Sequence, residues 1–518
     1  MNIYITLLLS FSIYFTSYAQ VSNINLSAAN VFDGEPYLGV NPYNTKQVTV
    51  AWIGYMLGKG VSIKTKTSVD GGDTWSAVSA LPHIQATYHS ADPSIAYDDQ
   101  GNIYICYIDY RQNPDSGMIV TVRSTNAGKT WATPKKAFDL YDNGDRPIDR
   151  PWLAIDRSKA NGLFCITSKP APWDPTPNKP YYKISSDQGD TWSAVKNIDS
   201  SDFPAGNIPA PMPFPAFASN GKLYIAYPSW KNATSKPAFV LATNTGGANF
   251  QRTAMITSAQ GSGGDTLSKL GYELMANPAD SQNLIFSMVH RLNNDPDIYV
   301  ISSHDGGANW TAPVRVNDDS INNNRDQEMV WSSFNQQGQL AVAWRDRRSS
   351  AGGGYAQNFN IYYAISKDGG LSFGKNDILS SQEIPYKSIL DNDGNDFLGL
   401  GLAHDTVHAA WGDTRGNTLN IYYARKQASL NIGLEKPIAE EPLIITFPNP
   451  TSNQLYISFS SNKPELVEIY NSNGLLVKKQ PSQAAGEGKY HCTIDAQQLS
   501  SGIYYIQIGN QRVSFARE

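Results

Sequence analysis

Charge is scarce in this sequence. Of 518 residues only 17% are Asp, Glu, Lys or Arg, and the net charge is −5 with no basic cluster. A chain without a basic patch has no electrostatic hold on a phosphate backbone, so nucleic acid is not an expected partner. Cysteine is scarcer still. Cys106, Cys165 and Cys492 are an odd number and cannot all pair. The first two lie in apolar, strand-like runs and the third in a separate C-terminal region, so buried thiols are expected. Long hydrophobic runs are also missing. Ile3 to Phe15 is too short to cross a bilayer comfortably, and Ser17-Tyr18-Ala19 follows with small residues where a signal peptidase cuts. Residues 1–19 therefore read as a secretory signal cleaved before Gln20, although no Lys or Arg precedes the apolar run. No transmembrane segment is expected in the mature protein. Metal-ligand spacings are lacking as well, since His83 and His89 have no Cys or third His in register with them. Neither a metal nor an organic cofactor is expected. Acidic turns such as Asp98-Asp99 or Asp391 to Asp396 are where a structural Ca²⁺ could sit, but the second lacks the distal Glu of an EF-hand loop.

What the chain has instead is turns: 41 Gly and 30 Pro, with 11% aromatic residues, the composition of an all-β protein. One octapeptide recurs. It stands as SVDGGDTW (Ser68 to Trp75), STNAGKTW (Ser124 to Trp131), SSDQGDTW (Ser185 to Trp192), TNTGGANF (Thr243 to Phe250), SHDGGANW (Ser303 to Trp310) and SKDGGLSF (Ser366 to Phe373). The shared glycines, Gly72, Gly128, Gly189, Gly247, Gly307 and Gly370, are 56, 61, 58, 60 and 63 residues apart. The Asp can cap the turn's own amides, the Gly takes a positive φ, and the Trp is expected to start the next strand and cover the turn.

A second repeat runs alongside. Each unit opens on a short strand (PYLGV from Pro36, PSIAY from Pro93, PWLAI from Pro151, PFPAF from Pro213). A tight turn and a second strand follow, and the second strand occurs seven times, from Val48, Ile103, Leu163, Leu223, Leu284, Leu340 and Val407. The seventh unit has a third strand from Leu419 but no octapeptide and no fourth strand. Asn23 to Ala29 has no unit of its own, so it is expected to complete the last sheet and close a ring. The octapeptide is the pattern of the Asp-box (BNR repeat), and the chain resembles the sialidase-like β-propellers that carry it. Residues 20–428 are thus expected to form a seven-bladed propeller, with six blades as the alternative.

Beyond Ala428 the repeat stops. Residues 429–442 read as a linker containing Pro and Glu. Residues 443–518 carry FPNP (Phe447 to Pro450), VEIYNSNGLLV (Val467 to Val477) and LSSGIYYIQI (Leu499 to Ile508), a pattern expected to make a small β-sandwich. This stretch resembles the C-terminal sorting domain of the type IX secretion system of Bacteroidetes. The resemblance implies that machinery as a partner, passage through the outer membrane, and a secreted or surface-attached product.

Strand alternation divides the candidate residues between the two ends of the propeller. The octapeptides fall on one end, and the connections between blades fall on the other with the long loops, where binding groups are expected. On the loop end, Glu35, Asp92, Arg150 and Asp326 start inner strands. Second strands end in aromatic-x-Asp-x-Arg three times: Tyr107 to Arg111, Trp344 to Arg348 and Trp411 to Arg415. Glu35, Asp92 and Asp326 are candidate acid–base groups, and Arg111, Arg150, Arg348 and Arg415 candidate binders of an anionic sugar. The repeated Asp–Arg pairs also suit a structural tie between blades. The sialidase resemblance implies three arginines on a substrate carboxylate, a Tyr nucleophile assisted by a Glu, and an Asp acid/base. The family's Arg-Ile-Pro is absent, and Glu35-Pro36-Tyr37 stands in its place. Tyr272 and Glu273 are adjacent and should point to opposite faces of a strand, which leaves Tyr355 and Tyr386 as freer tyrosines. The functions that fit are a glycoside hydrolase acting on an acidic or host-type glycan, a non-catalytic propeller binding glycan or protein, or a polysaccharide lyase.

Overall fold

The computed structural model describes residues 22–111, 116–139, 148–156, 158, 164–170, 180–198, 213–229, 238–244, 250–257, 271–293, 295–392, 395–428, 444–447, 449–461, 463–472, 474–486, 489–509 and 511–518. The expected signal segment, the expected linker and the fourth octapeptide's turn lie outside these residues. The chain divides into two compact units, Met1–Ser429 and Leu430–Glu518.

The first unit is built from seven four-stranded antiparallel sheets. Their first strands are Asp33–Val40, His89–Tyr97, Ile148–Ile155, Phe214–Phe217, Tyr272–Ala276, Gln327–Phe334 and Gly399–Ala403. Each packs against the first strands of the two neighbouring sheets, and Gly399–Ala403 packs back on Asp33–Val40, so the circle closes. Six sheets are simple meanders in chain order. In the seventh, Ile24–Asn25 pairs with Asn420–Gln427 through Ile24↔Tyr423 and Asn25↔Tyr422, and the N-terminal segment covers an otherwise open edge. Leu26 is buried behind it with Trp52, Ile421 and Tyr423. Second strands are buried on both faces, which is why VTVAWIG and LAVAWRD read as continuous apolar runs rather than alternating ones. Cys106 is buried and unpaired in one such strand, and Cys492 is buried and unpaired in the second unit.

The octapeptide turns close on themselves. Ser68 Oγ donates to Asp70 Oδ1 at 2.7 Å, and Gly72 N donates to Ser68 Oγ at 2.7 Å. Asp70 also accepts from Thr74 N at 2.9 Å and Thr74 Oγ1 at 2.5 Å. The Thr74 hydroxyl, followed by its amide, holds the Asp70 carboxyl well below the usual carboxylate range. The same bonds recur around Asp187, Asp305 and Asp368, and Asn126 takes the role in the second copy. Gly72 has φ +91°, and a methyl group there would meet the Tyr423 hydroxyl. One expectation is corrected. Trp75 does not start the fourth strand, which runs only over Ser79–Ala80, because its ring is spent on Tyr423 of the seventh sheet, 4.8 Å away and edge-on.

The second unit is two four-stranded sheets. Ile445–Phe447, Gln454–Ser460, Gln483–Gly486 and Lys489–Asp495 form one, and Leu466–Asn471, Leu476–Pro481, Gly502–Ile508 and Gln511–Arg517 form the other. Alternation along QLYISFS puts Leu455, Ile457 and Phe459 inward, against Val467, Ile469 and Ile506.

Candidate functional site

The expected inner-strand charges arise from a repeated backbone irregularity. In the first sheet Gly34 pairs with Ile53 and Tyr37 with Ala51, so Glu35 and Pro36 face the single residue Trp52. The same two-against-one bulge holds Asp92-Pro93, Arg150-Pro151 and Met329-Val330. Its first residue has a positive φ: +52° at Glu35, +56° at Asp92, +47° at Arg150 and +52° at Met329. Proline suits the second position because the residue is out of the ladder and needs no amide donor. The bulge turns its first side chain out of the sheet's alternation. Positive φ on a non-glycine costs about 1–3 kcal/mol, and such strain concentrates at functional sites. Met329 shows that the irregularity itself belongs to the architecture, and that three of four copies spend it on a charged side chain.

Glu35, Asp92 and Arg150 come together, joined by Asp396 from the seventh sheet's approach. The Glu35 carboxyl lies beside that of Asp92, and its Oε2 is buried without a hydrogen-bond partner. Arg150 N donates to Asp92 Oδ2 at 3.2 Å, and the Arg150 guanidinium is ion-paired with Asp396. Glu35 N lies 3.4 Å from Asn395 Oδ1. Burial, then the neighbouring Asp92 carboxyl, then Asp396, push the Glu35 carboxyl well above its ordinary range, with Arg150 opposing. Two carboxyls in this contact share a proton rather than ionising independently. Glu35 is 4% and Asp92 7% exposed, whereas the Arg150 side chain is 22% exposed and is the part of the group a ligand meets first.

An aromatic layer lies beside this group, with Tyr37 and Trp152 two residues beyond Glu35 and Arg150. Tyr37, Trp152, Trp331 and Phe397 meet in tilted and edge-on pairs with ring centroids 5.3–6.0 Å apart, and Phe214 lies 4.5 Å from Trp152. The layer gives the charged group a dry flank.

Asp326 is not part of this group. The sixth sheet's counterpart of Glu35 is Met329, and Asp326 stands three residues earlier, ahead of the strand. Burial raises its carboxyl, and its charged neighbours are Arg347, Arg291, Glu328 and Asp295. Glu328 there is ion-paired with Arg347 at 2.8 Å and Arg345 at 3.4 Å, all three about 1% exposed.

The arginines of the aromatic-x-Asp-x-Arg motifs do not form a common clamp. Asp346 accepts from Trp344 Nε1 at 2.7 Å and Arg348 Nη2 at 2.8 Å, while Arg348 also binds Asp318 and Asn376 and lies 4.3 Å above the Tyr362 ring. Asp413 repeats this with Trp411 and Arg415, and Arg415 adds Ser381, Asn23 and the Tyr422 ring. Strand periodicity puts the aromatic residue and the Asp on one face, and the turn that follows, with the Arg amide donating to the Asp, brings the Arg back to pair with it. In the second sheet Asp109 instead takes His83 and Ser90, and Arg111 is exposed. Tyr355 and Tyr386 meet edge to face at 6.2 Å, with the Arg347 guanidinium 4.5 Å from the Tyr355 ring. Tyr272 packs on Phe239 and Phe286, and its neighbour Glu273 accepts from Ser332 N at 2.5 Å. Among the described residues no three His, Cys, Asp or Glu side chains gather as a metal site, and no helix is long and apolar enough to cross a membrane.

Residues 141–402, half of the chain, match the BNR repeat-like domain, and residues 446–517 match the secretion system C-terminal sorting domain. The chain belongs to the BNR repeat-like family, as its octapeptides indicate. The second match marks it for type IX secretion, to a secreted or surface location. Solved structures with a similar fold include a protein of unknown function from Dyadobacter fermentans, at 12% identity over 79% of this chain and 98% of that one, TM-score 0.41. They also include the Hadza microbial sialidase Hz136, at 15% identity over 71% of this chain and 73% of that one, TM-score 0.43. The α-L-arabinanase of Penicillium chrysogenum is 14% identical over 63% of this chain and 94% of that one, TM-score 0.44. These likenesses are of fold alone. No curated protein matches the chain.

Proposed function

We propose that the seven sheets are the blades of one closed propeller, and that the chain is a secreted glycoside hydrolase whose reaction centre is Glu35, Asp92, Arg150 and Asp396. The observation that carries this is the buried Glu35–Asp92 carboxyl pair, held at strained backbone positions on the loop end of the ring. A carboxyl kept protonated above its ordinary range can give a proton to a departing glycosidic oxygen, and Asp92 holds that proton in place until then. Arg150 and Asp396 offer a donor and an acceptor for sugar hydroxyls. Adjacent carboxyls whose charges oppose each other titrate together, so the pair acts as one acid–base unit. Arg348, Arg415 and Arg150 are already paired with aspartates, which leaves the exposed Arg111 to meet an acidic sugar.

One observation favours a second reading, a glycan-binding propeller without catalysis: Glu35 and Asp92 are nearly inaccessible, and Asp92 accepts the amide of the next sheet, as an inter-blade strut would. Incubation with sialylated, uronate-containing and neutral glycans separates the two. Released sugar that disappears in Asp92→Asn supports the hydrolase. Retention on a glycan column without cleavage supports the binder, and an unsaturated uronate in the product would make the chain a lyase.

A further inference from the structure

The opposite end of the ring holds a second cavity, distinct from the Glu35 group. Its volume is about 680 Å³, within the range of small-molecule sites. Tyr37 and Trp331, members of the aromatic layer, form its inner end, and Tyr43, Ser219, Gln336 and His404 stand at its exposed mouth. The turns after the first strands supply that mouth, so the cavity faces away from the Glu35 end. Its walls are mostly aliphatic and aromatic, and among the described residues that line it there is no Lys, Arg or Asp.

One ionisable carboxyl does line it. Glu273 is 4% exposed, sits where Tyr37 and Trp331 sit in their own sheets, and accepts from Ser332 N at 2.5 Å. No cation neutralises it: the backbone amide of Ser332 is the sole group opposing the effect of burial, which pushes its carboxyl up to about 8. It holds its proton to higher pH than an exposed carboxyl, and while protonated it is a hydrogen-bond donor as well as an acceptor. The cavity thus combines polar and apolar surface, with aromatic rings at both ends and hydroxyls and amides at the mouth.

We infer that this cavity is a binding site for a neutral sugar residue, with Glu273 hydrogen-bonding a hydroxyl inside and Tyr43 covering the apolar face of the ring at the mouth. Among the described residues no Lys or Arg stands in the wall to pair with a phosphate or carboxylate. The hydroxyl-and-ring chemistry of a neutral sugar matches the mixture of apolar surface and few polar groups. The inference goes beyond the proposed reaction centre, since the aromatic layer lies between the two.

The test is a titration of the full chain with glucose, galactose, xylose, arabinose and their disaccharides, followed by saturation-transfer NMR and calorimetry. Met275→Trp fills the cavity, and Tyr43→Ala removes an exposed ring that the fold does not need, so the second variant remains informative if the first fails to fold. Binding of a neutral sugar should weaken at least about tenfold in each folded variant, and should persist in Glu35→Gln. If no neutral sugar binds, or binding survives Tyr43→Ala and Met275→Trp but is lost in Glu35→Gln, the cavity is not the site. The second outcome would still leave the reaction centre standing.

Discussion

Arg150 ties the third sheet to the seventh: its guanidinium is ion-paired with Asp396, while its own amide donates to Asp92 of the second. Glu35 of the first sheet completes the group, so four elements far apart in the chain meet at one end of the ring. Asp92→Asn keeps the shape and the acceptor for Arg150 N while removing the proton-sharing partner. Turnover on the cognate glycan should fall by about 10²–10⁴ with little change in Tm. A large fall in Tm with turnover intact would make Glu35 and Asp92 struts.

The motif arginines should behave in the opposite way. Asp413 is fully buried and bonded to both Trp411 and Arg415. Arg415→Met leaves that carboxylate without its cation, and should cost about 3 kcal/mol in denaturant unfolding. Glycan affinity per folded molecule should not change. An unchanged midpoint with weakened glycan retention would return Arg415 to the ligand.

How far these roles are legible in the sequence depends on distance along the chain. The octapeptide turns are local, and Ser68, Asp70 and Thr74 bond within seven residues, so their structural role reads directly. Trp344 and Asp346 share one strand face and Arg348 stands in the turn two residues on, so their mutual pairing is readable too. Glu35, Asp92 and Arg150 share a visible signature, a charged residue before Pro at the start of an inner strand. Asp326 lacks that Pro, and the bulge places Met329 in the frame instead. Asp396 carries no signature, because ring closure brings it to Arg150 across 246 residues. Glu273 reads as one of an adjacent Tyr–Glu pair, and its burial against Ser332 is set by the neighbouring sheet.

Glu273 gives a pH dependence. Its folded value of about 8 lies above the ordinary 4.5, so the folded state holds the proton longer than the unfolded chain. Stability should therefore be undiminished below about pH 4.5 and fall as pH rises towards about 8, by up to roughly 1.4 kcal/mol per pH unit for this group. Above that range the loss levels off. Glu273→Gln keeps an oxygen for Ser332 N and cannot ionise. Its Tm should exceed that of the parent at pH 8 and match it near pH 4. Parallel Tm–pH curves for the two proteins would show that Glu273 ionises normally.

The N-terminal strand makes the last prediction. Asn23 Oδ1 accepts from Ser381 N at 2.7 Å and Arg415 Nη2 at 3.1 Å, and its Nδ2 donates to Leu379 O at 2.9 Å, so one side chain ties the segment to two others. Leu26 then fills the space between Trp52 and Ile421 at 1% exposure. Leu26→Ala should cost about 2–5 kcal/mol through the cavity it leaves. Deleting residues 23–29 should do more, because Asn420–Gln427 would become an exposed edge with unpaired amides and carbonyls. The truncated protein should form concentration-dependent oligomers in light scattering, and a synthetic peptide of residues 22–30 added during refolding should suppress them. A monomeric deletion variant that melts with the parent would show that the ring does not depend on this strand.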